Sequence, residues 1–590
     1  MPSSTSNLSQ ILFRPFAGPL IVLLGFAWFR LTSWEAFAMS CPVANPPADA
    51  IVTAQRIWTN DPDQRFAEAL AIRSGAIVAV GTRAEVEALA GPKTLRLDHP
   101  EGFVVPGLID AHAHLVMLGE SLEEIDLRDA ASPEEVARRV AQRLRERGEI
   151  PPDRRDHWIL GRNWDQSLWE GMAFPTAQML DAVAPDRPVW LRRVDAHAAW
   201  GNSHALKLAG ITRDTQPPPD GQILRDEHGE PTGVFIDGAM DLVERIIPPR
   251  SEADLERAIL RAQDHVVSFG LTGVHDARVT SEMEAAFDRL ERRGDLKLRV
   301  YGMASPPEGG EVEFVTRPPT RTNPNARFRL RAVKLFMDGA MGSRGALMFE
   351  EYADDPGNVG LRLVTLDVLD ATVTEALKHG WQVCVHAIGD RANAELLDAF
   401  ENGLRAVPQA RDPRLRVEHA QVVRRADVPR FRQSGIIASM QPAHAGTDQR
   451  WADLRLGEAR AQGAYAWSWF VEEQVHLAFG SDFPVEIADP LWGIYAALTR
   501  KNERGQPPDG WRPEHRLDLE TTLQGFTSGA AYASFDEDRL GRLKPGFRAD
   551  LVVFDRDFFD PAVTPEQIRH TRVLRTMIDG ETVFLRHRQP

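Results

Sequence analysis

The sequence has little cysteine: two residues in 590, Cys41 and Cys384. So few excludes a disulfide framework and removes the usual sign of an oxidising compartment. Cys384 stands in Gln382-Val383-Cys384-Val385-His386, which reads as a buried strand, so a bridge to Cys41 demands unfavourable geometry. A block of basic charge is missing too. The net charge of −16 is spread over short patches, which excludes the basic face of a nucleic-acid binder. The apolar run Phe16 to Phe29, between Arg14 and Arg30, is shorter than the ~20 residues of a spanning helix and nearer a signal-peptide core. Cys41 follows Ala38-Met39-Ser40, loosely like a lipoprotein cleavage site. Two readings stay open: export or membrane association through segment 1–47, or a spurious leader before a start at Met39 and a cytoplasmic protein.

What is present is globular in kind. Hydrophobic residues make up 43% and charged residues 26% of a chain too long for one ordinary core. One large barrel with satellite domains is the expectation. Short apolar–polar alternations after Pro47 (Ala50 to Ala54, Ala69 to Arg73, Ala76 to Val80) are answered near the C-terminus by Ala549 to Asp555, Val573 to Ile578 and Thr582 to Leu585. Residues 48–102 and 541–590 are therefore expected to form one composite β domain.

Between them strands alternate with helical patterns. Eight candidate strands are Phe103 to Ala111, Leu271 to Asp276, Leu298 to Ala304, Ala332 to Met337, Gln382 to His386, Leu415 to His419, Ile436 to Met440 and Val475 to Gly480. Leu255 to Phe269, Leu366 to His379 and Ala392 to Val407 read as helices between them. This predicts an α/β fold, a (β/α)8 TIM barrel over 103–119 and 251–540. Residues 120–250 are too many for one loop and are read as an inserted α+β subdomain with its own helix, Pro133 to Arg147. The insert holds Trp158, Trp164, Trp169, Trp190 and Trp200. They are its own aromatic core, a lid that walls an apolar substrate pocket, or both.

Several strand ends carry chemistry. In Pro106 to His114, His112 and His114 are two apart, so one strand face can present both imidazoles to a divalent ion. Lys334 lies inside the apolar strand Val333 to Met337, where a bare ammonium is costly. A neutral amine there can add carbon dioxide and become a carbamate able to bridge two ions. His386 and His419 end successive strands, on the barrel face where catalysis is expected. Each alone could be a satisfied core histidine; together they suit a second ion. Asp482 follows Gly480-Ser481 and can touch a metal and take a proton from water, or form a turn before Pro484. Ala478 and Gly480 are expected to leave room for metal and substrate.

With these segments in hand, the sequence resembles the amidohydrolase superfamily, specifically the amidohydrolase-3 (YtcJ-like) group that includes N-substituted formamide deformylases. Pro106 to His114, Val333 to Gly345, His386 to Asn393, Val417 to Gln421, Ser439 to His444, Gly480 to Pro484 and the tail Leu543 to Val553 carry the resemblance, which spans roughly residues 50 to 585. It implies the barrel, a composite β-sandwich from both termini and a zinc-type centre. His112 and His114 would hold one ion, His386 and His419 another, carboxylated Lys334 would bridge them, and Asp482 would be the base. The implied activity is hydrolysis of a carbon–nitrogen bond in a small-molecule, non-peptide amide. A one-metal deaminase without need of Lys334, a prolidase-like dipeptidase, a phosphotriesterase-type activity and a non-catalytic scaffold are the competing readings. His197, Gln441 and His444 are candidate substrate groups, and Arg344 a candidate carboxylate partner; each could equally be structural. A homodimer is an expectation from analogy with barrel hydrolases.

Overall fold

Gly107 divides what reads as one strand, Phe103 to Ala111, between two sheets. In the computed structural model, strand Leu95–Pro106 ends before Gly107 and Leu108–Ala113 starts after it. Phe103 to Pro106 pair antiparallel with Leu551–Phe554, whereas Leu108–Ala113 pairs parallel with Leu271–Val279. A Cβ at Gly107 would lie 2.3 Å from Thr272 Oγ1, so the chain changes sheets where only glycine fits. Hydrophobicity does not record the change, because both halves are buried.

The structure describes residues 46–587 apart from 149, 152–153, 155–156, 194–197 and 219–220. The N-terminal apolar run and Cys41 lie outside the described residues. Among those described, no helix is long and apolar enough to cross a membrane.

Eight parallel strands follow one another in sequence order around a TIM barrel: Leu108–Ala113, Leu271–Val279, Arg299–Ala304, Phe328–Phe336, Gln382–Ala387, Arg416–His419, Ile437–Met440 and Leu477–Phe479. Just beyond the last strand, Asp482 N donates to His112 O (2.7 Å) and His114 N to Phe483 O (2.9 Å), which draws the eighth strand to the first. Gly480 lies on this seam. A Cβ there would stand 2.5 Å from both Asp110 Oδ1 and His112 N. The missing side chain thus makes room for the neighbouring strand, where the sequence suggested room for metal and substrate. Gly480→Ala is expected to destabilise the fold by about 1–3 kcal/mol through overpacking, seen as a lower denaturant midpoint. An unchanged midpoint would show that the seam is loose.

Helices cover the outside. Glu252–Val267 begins with a capping box in which Ser251 and Asp254 satisfy each other's backbone N–H groups. Its buried residues, Leu255, Ala258, Ile259, Ala262 and Val266, recur at helical spacing and join the main core.

A seven-stranded sheet draws on both ends of the chain, in the order Glu581–Leu585, Val573–Ile578, Leu551–Phe554, Leu95–Pro106, Ala50–Trp58, Phe66–Arg73, Ala76–Gly81. Its last strand is tied back toward the middle by Ile77 N to Phe547 O and Gly546 N to Ile77 O, both 2.8 Å. The sheet therefore folds over a shared core that includes Val52, Leu70, Leu551 and Val553. Arg299, at the start of the third barrel strand, joins it to the barrel through Asp550 (2.6 and 3.0 Å).

A third sheet of six strands lies in the insert, between Ile125 and Asp237. The five tryptophans are 0–4% exposed and none lines a cavity at the barrel mouth. Trp164 packs against Trp169 and Trp200 at ring distances of 5.9 and 6.2 Å, and Trp190 against Phe235. They form the insert's own aromatic core, the first of the two readings; they do not wall a pocket, the second, because the polar face of the insert meets the mouth.

Candidate metal centre

The C-terminal ends of the barrel strands gather His112, His114, Lys334, His386, His419, His444 and Asp482 around one cavity of about 350 Å³. Asp110, His112 and His114 alternate along one face of the first strand and its extension. Asp110 accepts hydrogen bonds from Ser481 N (3.1 Å), Ser481 Oγ (2.6 Å) and His112 N (3.1 Å), fixing the segment that carries Asp482. Burial pushes the Asp110 carboxyl up to about 7, with those donors pulling the other way.

His112 is oriented from behind. Its Nδ1 lies 2.6 Å from Glu418 Oε2, leaving Nε2 for the cavity. Glu418 is paired in turn with Arg416 at 2.8 Å, and Arg416 Nη2 also donates to Ala111 O (2.6 Å) and Ser439 Oγ (2.9 Å). Both charged side chains are fully buried. Burial alone would raise the Glu418 carboxyl, but Arg416 and His112 outweigh it and hold it well below the carboxylate range. His419 Nδ1 is held likewise by Gln441 Oε1 at 2.8 Å.

His419 and Asp482 have backbone φ angles of 77° and 62°. These left-handed conformations cost about 1–3 kcal/mol each in residues other than glycine and cluster at functional sites. They turn both side chains at the strand ends. Asp482 Oδ1 then lies 3.1 Å from His114 Nε2 and 3.6 Å from His112 Nε2, while Oδ2 is 3.7 Å from His444 Nε2. Two groups with ligand atoms within 4.8 Å of one another result: His112, His114 and Asp482, and His419, His444 and Asp482. His386 packs 4.5 Å from the His419 ring, with its Nε2 3.5 Å from Asp338 Oδ1, and belongs to neither group.

Lys334 is 2% exposed, and its Nζ has no hydrogen-bond partner. Burial lowers its ammonium below the lysine range, against the pull of Glu418 and Asp482. Burial also lowers His112 to about 4 and His386 to about 3, with the Lys334 charge adding to it, and His419 well down. These rings are neutral at neutral pH, the state a metal ligand requires. Burial works to raise Asp482, but the adjacent His114, His112 and His419 keep its carboxylate ionised well below the usual range. Buried His114 Nδ1, His444 Nε2, Asp482 Oδ1 and Lys334 Nζ all lack hydrogen-bond partners. Orphaned donors and acceptors of this chemistry, converging on one cavity, fit a divalent cation.

The other sequence candidates sit elsewhere or act differently. Gln441 is buried and orients His419. Arg344 is engaged by Asp354 at 3.0 and 3.2 Å and lines neither mouth cavity, so its proposed carboxylate contact is not brought to the site. His444, read as a substrate group, stands within the second ligand cluster. His197 lies outside the described residues. Sequence reasoning missed Arg416 and Glu418, although two opposite charges on one face of an apolar barrel strand are a readable signal. It also missed Asp338, which accepts from Leu347 N, Ile388 N and Gly389 N and so ties the loop after Lys334 to the end of the His386 strand.

A parallel barrel with clustered imidazoles, a carboxylate and a buried amine at its C-terminal mouth has the architecture of a metal-dependent hydrolase. The chain belongs to the amidohydrolase family, which residues 100–584 match. It is 33% identical over 589 residues to protein LONG AFTER FAR-RED 3 of Arabidopsis thaliana, covering 96% of this chain and 97% of that one. It is 31% identical to the putative amidohydrolase YtcJ of Bacillus subtilis (strain 168), over 88% of this chain and 96% of the relative. N-substituted formamide deformylase of Arthrobacter pascens is 29% identical, over 90% and 97%. Among solved structures, an uncharacterized metal-dependent hydrolase from Pyrococcus furiosus aligns with a TM-score of 0.70 and 31% identity, covering 86% of this chain and 99% of its own.

Proposed function

We propose that this enzyme hydrolyses the carbon–nitrogen bond of a non-peptide amide, an N-substituted amide or formamide, with two zinc ions bridged by carboxylated Lys334. The observation that carries the reading is the convergence of His112, His114, His419, His444 and Asp482 beside the buried, unpartnered Lys334 Nζ. The likeness to a protein named as an N-substituted formamide deformylase supports the choice of bond. Divalent cations, which His112, His114, His386, His419 and Asp482 with Lys334 would hold, would supply Lewis acidity toward a water and an acyl oxygen.

The protein's own groups do the rest. Asp482, ionised at neutral pH, takes a proton from the attacking water. The water oxygen bonds to the acyl carbon, and Asp482 returns the proton to the departing nitrogen as the C–N bond breaks. The products are a carboxylic acid and an amine.

The test is metal analysis joined to a panel of formamides, N-acyl amino acids and lactones. Amide turnover that a chelator abolishes and zinc restores is the expected result. Lys334→Ala should reduce metal stoichiometry and turnover together, and the wild type should show a carbamate signal by carbon NMR after labelling with 13C-bicarbonate. Full metal content and rate in Lys334→Ala would sink the bridging role.

A further inference from the structure

A second cavity, of about 610 Å³, lies between the insert and the barrel and shares His114 with the metal centre. Its lining is basic: Arg162, Arg192 and Arg193 come from the insert, and Arg250 and Arg278 from the barrel side. Three carboxylates, Glu120, Glu124 and Asp276, face these five guanidinium groups.

Three of the arginines are engaged. Arg192 is bound by Glu244 at 2.9 Å, Arg193 by Asp165 at 2.9 Å and Arg250 by Glu120 at 2.6 Å. Asp276 is buried and accepts from Leu115 N and Arg278 N, so its carboxylate is occupied by backbone. Arg162 and Arg278 form no ion pair among the described residues. Both side chains line the cavity, and a guanidinium without an ion pair matches a carboxylate in charge and in the fork of its N–H groups. Val116, Met117 and Met283 add apolar surface to the same cavity.

We propose that this cavity is a substrate subsite for a carboxylate, held by Arg162 and Arg278 while the scissile amide lies on the His114 side. The inference rests on amide hydrolysis at the metal centre and narrows its substrates to amides bearing an acidic group beside an apolar one.

The experiment compares N-formyl-L-leucine with N-formyl-L-leucinamide on the zinc-loaded enzyme. The acid should be preferred in kcat/KM by about tenfold to a hundredfold, as expected for charge-assisted hydrogen bonds, and chiefly through KM. Arg162→Gln and Arg278→Gln should each collapse that ratio toward one, and Arg278 is exposed enough for its variant to fold. Calorimetric titration with N-methylsulfonyl-L-leucine, which has no acyl carbon to attack, measures the same selectivity without turnover. Equal cleavage of acid and carboxamide, unaffected by either variant, would overturn the subsite and leave amide hydrolysis standing. Arginine-dependent binding of the sulfonyl compound with neither formamide cleaved would uphold the subsite and count against the proposed reaction.

Discussion

Asp482→Asn is expected to lower kcat by about 10²–10⁴-fold, the usual contribution of a positioned acid–base group, while metal content and fold persist. Asparagine keeps the shape of aspartate and one carbonyl oxygen, but it cannot accept and return a proton. Asp482 Oδ1 is the atom at stake: it sits 3.1 Å from His114 Nε2, and against the cost of burial the neighbouring histidines, His114 first, hold the carboxylate ionised. The backbone needs no readjustment, since Asp482 N still donates to His112 O and asparagine tolerates the left-handed conformation. Steady-state kinetics alongside plasma mass spectrometry of metal content separates the two roles. A variant with wild-type kcat would remove Asp482 from the chemistry; one with normal folding and no metal would make it chiefly a ligand.

The second large effect is expected at Glu418, away from the cavity. Glu418→Ala leaves Arg416 as an uncompensated charge in the barrel interior, a loss of about 3–5 kcal/mol in unfolding free energy. It also frees His112 Nδ1, and loss of such a backing contact weakens metal binding by about 10–100-fold. Glu418→Gln restores much of the shape without the charge, so it should retain more metal than the alanine variant but less than wild type. Chemical denaturation and competitive zinc titration read the two consequences independently. Wild-type stability and zinc affinity in both variants would mean that the Arg416–Glu418–His112 chain is incidental.

These two positions differ in how readable they are. Asp482 stands in a short polar interruption after an apolar strand, and a carboxylate at that end of a barrel strand invites a catalytic role. Glu418 precedes a histidine that drew attention to itself, and its partner His112 is 306 residues earlier. Local pattern reports which face a residue takes, but it cannot report which distant residue stands opposite. For the same reason Arg344 looked free in the sequence, though Asp354 ten residues on binds it. The tryptophans could be core or pocket wall, because composition counts aromatic rings without showing which way their sheet turns them.

Order along the chain settled much in advance: eight apolar strands in sequence, helical patterns between several of them, His112, His114, His386, His419 and Asp482 at strand ends, and Lys334 inside one strand. Those features depend on periodicity and on contacts within a few residues, which a sequence records directly. Tertiary structure decided the rest. It split Phe103 to Ala111 at Gly107, assigned Gly480 to the barrel seam, placed His444 beside His419 and Asp482, and brought the arginines of the insert beside His114. Each of these is a close approach between segments far apart in the chain, fixed by steric fit and buried charge pairing, and neither is written in local hydrophobicity.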